Sequence, residues 1–283
     1  MKKIKIYSAG VVGQISAKNS TISKILNDSF TFHYLPEGQI DFEREADVFV
    51  EERFHSSPAT IEYPKIIISP TKDYRGIVSA CDYLLERARQ EKLGVYSLNS
   101  SSVQQKGKAV VFFGGATNLG KTSSALELGM NGFELFSDEK TLLDIEGRKL
   151  YSGSKSVALR KKVLQKKLDS YKEFKMFDEN SCKKPSIEMF ILPHLDHGLK
   201  IPISYQLGKV DSFWHLNKEL TRRIRGGTKF IGNFQYPLQS IDNEELSLKR
   251  IDAIKNLTQV VPTYYFQGSL KQLNFFVKER FNK

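Results

Sequence analysis

The run Gly115-Ala116-Thr117-Asn118-Leu119-Gly120-Lys121-Thr122 satisfies G-x-x-x-x-G-K-[ST] at every fixed position. Each fixed residue type answers a chemical need. Glycines let a short turn curl until its backbone N–H groups face inward and form an anion-binding nest. Lys121 adds a mobile ammonium for the β and γ phosphates, and Thr122 adds a hydroxyl suited to Mg²⁺. Ser123 falls in the first turn of the helix expected to follow, whose positive end would face the same phosphates. Gly115–Ser123 is therefore the expected cradle of a nucleoside triphosphate.

A metal-bound triphosphate wants a carboxylate near the cation. "GFELFSDEK", from Gly132 to Lys140, offers Asp138 and Glu139 side by side at the end of a short apolar strand. One is expected to hold Mg²⁺, directly or through water, and the other to accept the proton of an attacking hydroxyl.

Further cations stand downstream. "RRIRGGTK" sets Arg222, Arg223, Arg225 and Lys229 around a Gly-Gly pair. Such arginines either close over a transferred phosphoryl group or simply complement the negative end of a helix. The run 154–175, "SKSVALRKKVLQKKLDSYKEFK", reads as a basic helix: a landing surface for an acidic substrate, or a solvated face. His194, Asp196 and His197 have metal-compatible spacing, but with no further Cys or His cluster nearby a surface turn is the expectation.

These residues need a frame. "AVVFF" lacks polar alternation and reads as a buried strand leading into the glycine turn. "TSSALELGM" is helix-competent, and Asn131-Gly132 is a fitting stop. "QQKGK" predicts a hairpin turn between "VYSLNSSSV" and "AVVFF". Upstream, residues 2–17 predict a strand, a turn and a second strand, with "GVVG" at Gly10–Gly13 read as a turn because it lacks the third glycine of a dinucleotide loop. "TISKILNDSF" and Asp73–Lys92 carry helical periodicity, while "ADVFVEERF" and "KIIIS" read as strands. Downstream, "SIEMFILPHL" reads as a strand and "FWHLNKELTRRIRGG" as a helix closed by two glycines. "NEELSLKRIDAIKNLTQ" is a second helix, followed by the strand "VPTYYFQG" and the helix "SLKQLNFFVKERFN". The alternation predicts an α/β fold with α+β elements. A boundary near residue 93 divides a small N-terminal α/β domain, 1–92, from a nucleotide-binding domain, 93–283.

Composition sets outer limits. The chain has 283 residues, 40% hydrophobic and 27% charged, with a formal charge of +11. That balance favours acidic partners, a nucleotide or an acidic substrate among them. Cys81 and Cys182 form no CxxC pair, which argues against a disulfide scaffold and fits a cytoplasmic setting. No apolar run approaches the ~20 residues of a membrane span, so no membrane partner is expected. The aromatics sit in apolar patterns such as "YYF" and "NFF" rather than among basic residues, which disfavours nucleic acid.

The loop and the acidic strand together resemble the HPr kinase/phosphorylase family, related to ATP-type phosphoenolpyruvate carboxykinases. In that family GKS-x-x-A-L-x-L is followed by G-x-x-L-x-x-D-D. Here the chain reads Gly120-Lys121-Thr122-Ser123-Ser124-Ala125-Leu126-Glu127-Leu128, then Gly132-Phe133-Glu134-Leu135-Phe136-Ser137-Asp138-Glu139. "YSLNSSSVQQKGKAVVFFGG" is similar to the family's HASSV hairpin, and "VPTYYFQGSLKQL" to its closing strand and helix. The likeness covers roughly residues 95–160 and, loosely, the C-terminus.

The resemblance implies ATP and Mg²⁺, with Lys121 on the phosphates, Thr122 and Glu139 on the metal, and Asp138 as general base. It also implies substrate-side roles for Asn99 and Arg160, beside those read above for Arg222 and Arg225. Asn99 stands where the family often has a histidine, Asn118 and Leu119 replace Ser-Gly, and Glu139 replaces Asp. The family's LE-[IV]-R-G segment, tied to the protein substrate HPr, is not found, nor is the additional histidine and lysine set of a carboxykinase. The implied activity is thus a kinase for a small hydroxyl compound or another peptide. Kinases of this family often form homo-oligomers. A nucleotide-binding regulator without transfer and an NTP hydrolase stay open as alternatives.

Overall fold

The computed structural model describes residues 1–53, 59–70, 73–115, 119–155, 184–226 and 238–281. Among these residues it is a mixed α/β fold with two open mixed sheets, one six-stranded and one nine-stranded. The chain forms two compact units: Met1–Tyr96 with Thr221–Arg250, and Ser97–Leu220 with Ile251–Lys283. Among the described residues, no helix is long and apolar enough to cross a membrane.

The first unit opens on the antiparallel hairpin of β1 (Lys2–Ser8) and β2 (Val11–Ala17). Ala9 at φ 46° and Gly10 at φ 88° make its two-residue turn, where positive φ at both positions matches the twist of the strands. "GVVG" is thus a hairpin turn and the start of a strand. The short strands β3 (Gln39–Ile40), β4 (Val48–Glu52), β5 (Ala59–Glu62) and β6 (Lys65–Ile68) complete a sheet ordered β3-β1-β2-β4-β6-β5. Two small helices follow the first hairpin, α1 (Asn19–Asn27) and α2 (Ser29–Tyr34). Asp28 caps α2 by accepting a 2.8 Å bond from Phe30 N.

Helix α3 (Arg75–Leu93) covers this sheet and ends where Gly94 turns left-handed at φ 60°. Its expected apolar stripe, Ile77, Cys81, Leu84, Leu85 and Ala88, is fully buried. The helix also buries charge, which hydrophobic periodicity does not foretell. Arg89 is fully buried, donates to Ser8 Oγ at 2.7 Å and pairs with Glu86 at 3.5 Å. A buried charge survives in a low-dielectric interior only with such partners.

One expected helix is shorter than its sequence suggests. The helix expected to run to the Gly226-Gly227 pair, α5 (Lys209–Thr221), stops earlier. Ile224 is fully buried in the first unit's core and its carbonyl accepts from Ile241 N at 2.9 Å, which takes the backbone off the helical path. Residues 221–250 group with the first unit. The phenol of Tyr83 is shared between Ile224 O at 2.9 Å and Gln239 O at 2.8 Å. Arg250, fully buried, bonds Gln90 at 3.0 Å and Asp242 at 2.6 Å. These contacts join segments too distant along the chain for a local reading.

The second unit carries the large sheet, ordered β10-β8-β9-β13-β12-β11-β7, with β15 pairing β13 and β14. The strands are β7 (Val95–Leu98), β8 (Ser100–Gln105), β9 (Lys108–Phe113), β10 (Glu134–Ser137), β11 (Thr141–Asp144), β12 (Lys149–Gly153), β13 (Ser186–Leu195), β14 (Ile203–Gln206) and β15 (Thr263–Gly268). "VYSLNSSSV" is two strands rather than one: at Asn99 the chain leaves β7 at one end of the sheet order and enters β8 near the other. β13 runs parallel to both β9 and β15. Helices α4 (Lys121–Gly129), α5, α6 (Glu244–Val260) and α7 (Leu270–Phe281) follow their strands or loops. Ala125, Leu126 and Leu128 of α4 join Val103, Phe112, Leu135, Leu273, Phe276 and Val277 in one core.

Candidate functional site

The hairpin β8–β9 is the platform. Lys106 at φ 52° and Gly107 at φ 76° form its tight turn, which fixes the register Ser101↔Phe112 and Ser102↔Val111. Period-two alternation then sorts side chains. Val103 and Phe112 enter the core beneath α4, so Ser101 shares their face, while Ser100 and Ser102 take the other.

β10 pairs antiparallel with β8, with a register shift between Leu135 and Ser137. A bulge of this kind re-aims the residues beyond it. Here it pairs Ser137 with Ser102 and delivers Asp138 to Ser101. Asp138 is 2% exposed; its backbone is held by Ser154 O at 3.2 Å and by Lys140 N at 2.8 Å. Glu139 adopts φ 65° and lies exposed. The turn therefore separates the adjacent carboxylates, one inward and one outward.

β9 ends in the glycine turn. Gly114 has φ 135° and Gly120 has φ 95°, backbone that side-chain-bearing residues rarely adopt. At Gly120 a Cβ would also lie 2.3 Å from Leu195 Cδ1. Gly115, Leu119, Gly120, Lys121, Thr122 and Ser123 are half-buried at this turn and helix start. Ala116, Thr117 and Asn118 lie outside the described residues.

α4 starts at Lys121 with no side-chain cap and no acidic residue in its first turn. Its first bond runs from Ser124 N to Gly120 O at 2.8 Å. The N–H groups of Lys121, Thr122 and Ser123 thus open the helix without intrahelical acceptors, an end suited to an anion. Lys121 Nζ donates to Gly114 O at 2.8 Å, folding the ammonium back over the start of the loop.

The decisive contact joins loop to acid. Thr122 Oγ1 donates to Asp138 Oδ1 at 2.9 Å, and Ser101 Oγ donates to the same oxygen. A hydroxyl that gives its proton to a carboxylate keeps its lone pairs for a cation. On the opposite face of the sheet, Ser102 and Ser137 are 2.6 Å apart, Ser137 and Thr141 2.7 Å, and Ser100 donates to Thr141 at 2.7 Å. These buried hydroxyls satisfy one another, as low-dielectric surroundings require. The serine-rich stretch signals them, but only the register reveals the pairing.

The remaining expected residues are placed as follows. Asn99 is half-buried at the junction of β7 and β8. Arg222 and Arg225 belong to the first unit, where Arg225 lies 4.0 Å from Asp242. Arg160, Lys229 and most of the basic run, 156–175, lie outside the described residues. Asp196 accepts from Gly198 N at 2.9 Å and Gln267 Nε2 at 3.2 Å. Among the described residues, His, Cys, Asp and Glu gather in no group of three suited to a metal ion.

No family model matches the chain, and no curated protein does.

Proposed function

We propose that the protein is an ATP-dependent kinase that transfers the γ-phosphoryl group to a hydroxyl of a small molecule or of a peptide or protein serine. The observation that carries this reading is the 2.9 Å bond from Thr122 to the buried Asp138 at the start of an uncapped helix. It sets the open N-terminus of α4 beside a carboxylate, the relation that phosphoryl transfer needs.

The donor set fits magnesium: a hydroxyl and a carboxylate, both oxygen, beside an anion site whose phosphates would complete the shell. Thr122 would hold the ion, with Asp138 beside it. When bound, Mg²⁺ offsets charge on the β and γ phosphates. The backbone N–H groups of the loop and of the first turn of α4 orient the triphosphate. Lys121 moves its ammonium from Gly114 O to the phosphates. Asp138 orients the acceptor hydroxyl and takes its proton as the new P–O bond forms and the bond to ADP breaks. Positioning contributes most, because the transition state is loose and asks little of the base. Of the expected substrate-side residues, Asn99 lies in the same unit as Asp138 and would serve the acceptor.

The test is transfer of labelled γ-phosphate from ATP to a panel of hydroxy amino acids, sugars and serine peptides. Label on an acceptor supports the kinase. Label released only as inorganic phosphate makes the protein a hydrolase, and nucleotide binding without turnover makes it a regulator. Lys121→Ala is expected to abolish transfer and weaken ATP binding. Asp138→Asn is expected to keep binding and lose turnover; full activity in that variant refutes the base assignment.

A further inference from the structure

We propose that Ser101 is a positioning residue: its hydroxyl anchors the Asp138 carboxylate to the central sheet, independently of the glycine loop. The inference rests on the kinase reading for its kinetic consequence only. Two hydroxyls converge on Asp138 Oδ1, and their settings differ. Thr122 is half-buried on the second residue of α4, just beyond the glycine turn. Ser101 is 1% exposed on β8, a strand paired on both sides by β9 and β10. Its backbone is fixed by two ladders and its side chain by burial. One tether thus belongs to the nucleotide-binding element and the other to the rigid platform.

The distinction matters chemically. A carboxylate held only by Thr122 would follow the loop and lose its partner whenever that hydroxyl turned to a cation. A carboxylate also held by Ser101 keeps its rotamer while the loop fills. Two donors on one oxygen hold the carboxylate in place, which suits orientation of an acceptor. Polar groups that fix a reacting residue from behind typically contribute about 10–100-fold. Ser101 is one residue from the buried hydroxyl cluster of Ser100, Ser102, Ser137 and Thr141, yet points to the opposite face and serves a different partner.

The test combines a stability cycle with kinetics. Urea unfolding of nucleotide-free wild type, Ser101→Ala, Asp138→Asn and the double variant measures the coupling of the pair without any ligand. Turnover is then measured at saturating Mg·ATP. The expected results are non-additive destabilisation, a kcat for Ser101→Ala lowered about 10–100-fold with KM for ATP within about twofold, and recovery in Ser101→Thr, which restores the donor. Ser101→Cys, close in volume with a weak donor, serves if the alanine variant does not fold, and is expected to lose turnover likewise. Additive destabilisation, or wild-type kcat in Ser101→Ala and Ser101→Cys, overturns the proposal even in an active kinase. A wild type that neither binds nor turns over ATP refutes the kinase reading separately, and the anchoring of Asp138 by Ser101 is then decided by the cycle.

Discussion

Gly120 shows how narrowly single residues hold this site. Its φ of 95° and the 2.3 Å approach that a Cβ would make to Leu195 Cδ1 leave no room for a side chain. Gly120→Ala is expected to displace the start of α4, separating Thr122 from Asp138. Nucleotide affinity should fall at least tenfold, while Gly107→Ala, with open space around its Cβ, should leave affinity unchanged despite its strained turn. Titration of both variants with a fluorescent ATP analogue checks this. The turn at Gly120, the helix start at Lys121 and the nearness of Thr122 to Asp138 were legible in the sequence, because a strand, a glycine turn and a helix follow one another at fixed spacing. The inward turn of Asp138 and outward turn of Glu139 were not, since both depend on the β10 bulge and the positive φ that follows.

At the scale of elements, the close approach of β2 and α3 is set by a small residue facing a medium one. A Cβ on Gly13 would lie 2.4 Å from Cys81 Sγ, which is fully buried. Gly13→Ala should destabilise the protein by about 1–3 kcal/mol through overpacking. Combined with Cys81→Ala it should recover part of that loss, with a coupling of about 0.5–3 kcal/mol in urea unfolding. Burial pushes the Cys81 thiol up to about 12, so alkylation near neutral pH should spare it until denaturant is added.

α5 offers a pH probe. Burial and then the nearby Lys218 cation hold His215 below its ordinary value of 6.5. Its neutral form is favoured by folding, so its contribution is complete above the unfolded value and fades as pH falls through the folded one. The urea midpoint should drop between pH 7.5 and 5.5, and His215→Gln should reduce that drop. The early end of α5 was illegible because burial of Ile224 is a tertiary event that overrides helix propensity.

Over the whole molecule, the sequence order α/β pattern was readable from periodicity, as were the first hairpin, α3 and the strand–turn–helix at 108–129. The return of 221–250 to the first unit was not, because it depends on partners far along the chain. Tyr83 is the clearest of these, with its phenol shared between two backbone carbonyls and its ionisation opposed chiefly by burial. Tyr83→Phe leaves both carbonyls short of a donor and should cost about 1–3 kcal/mol. Hydrogen exchange should quicken first around 221–226 and 238–243 while β8–β10 keep their protection.

The proposed kinase activity requires that the start of α4, beside Asp138, binds a triphosphate. Calorimetric titration of ATP with Mg²⁺ into the wild type and Lys121→Ala measures it most directly. One site per chain, weakened at least tenfold by removing Mg²⁺ or by the substitution, is the expected result. Absence of binding to the wild type, or equal affinity in Lys121→Ala, contradicts the account.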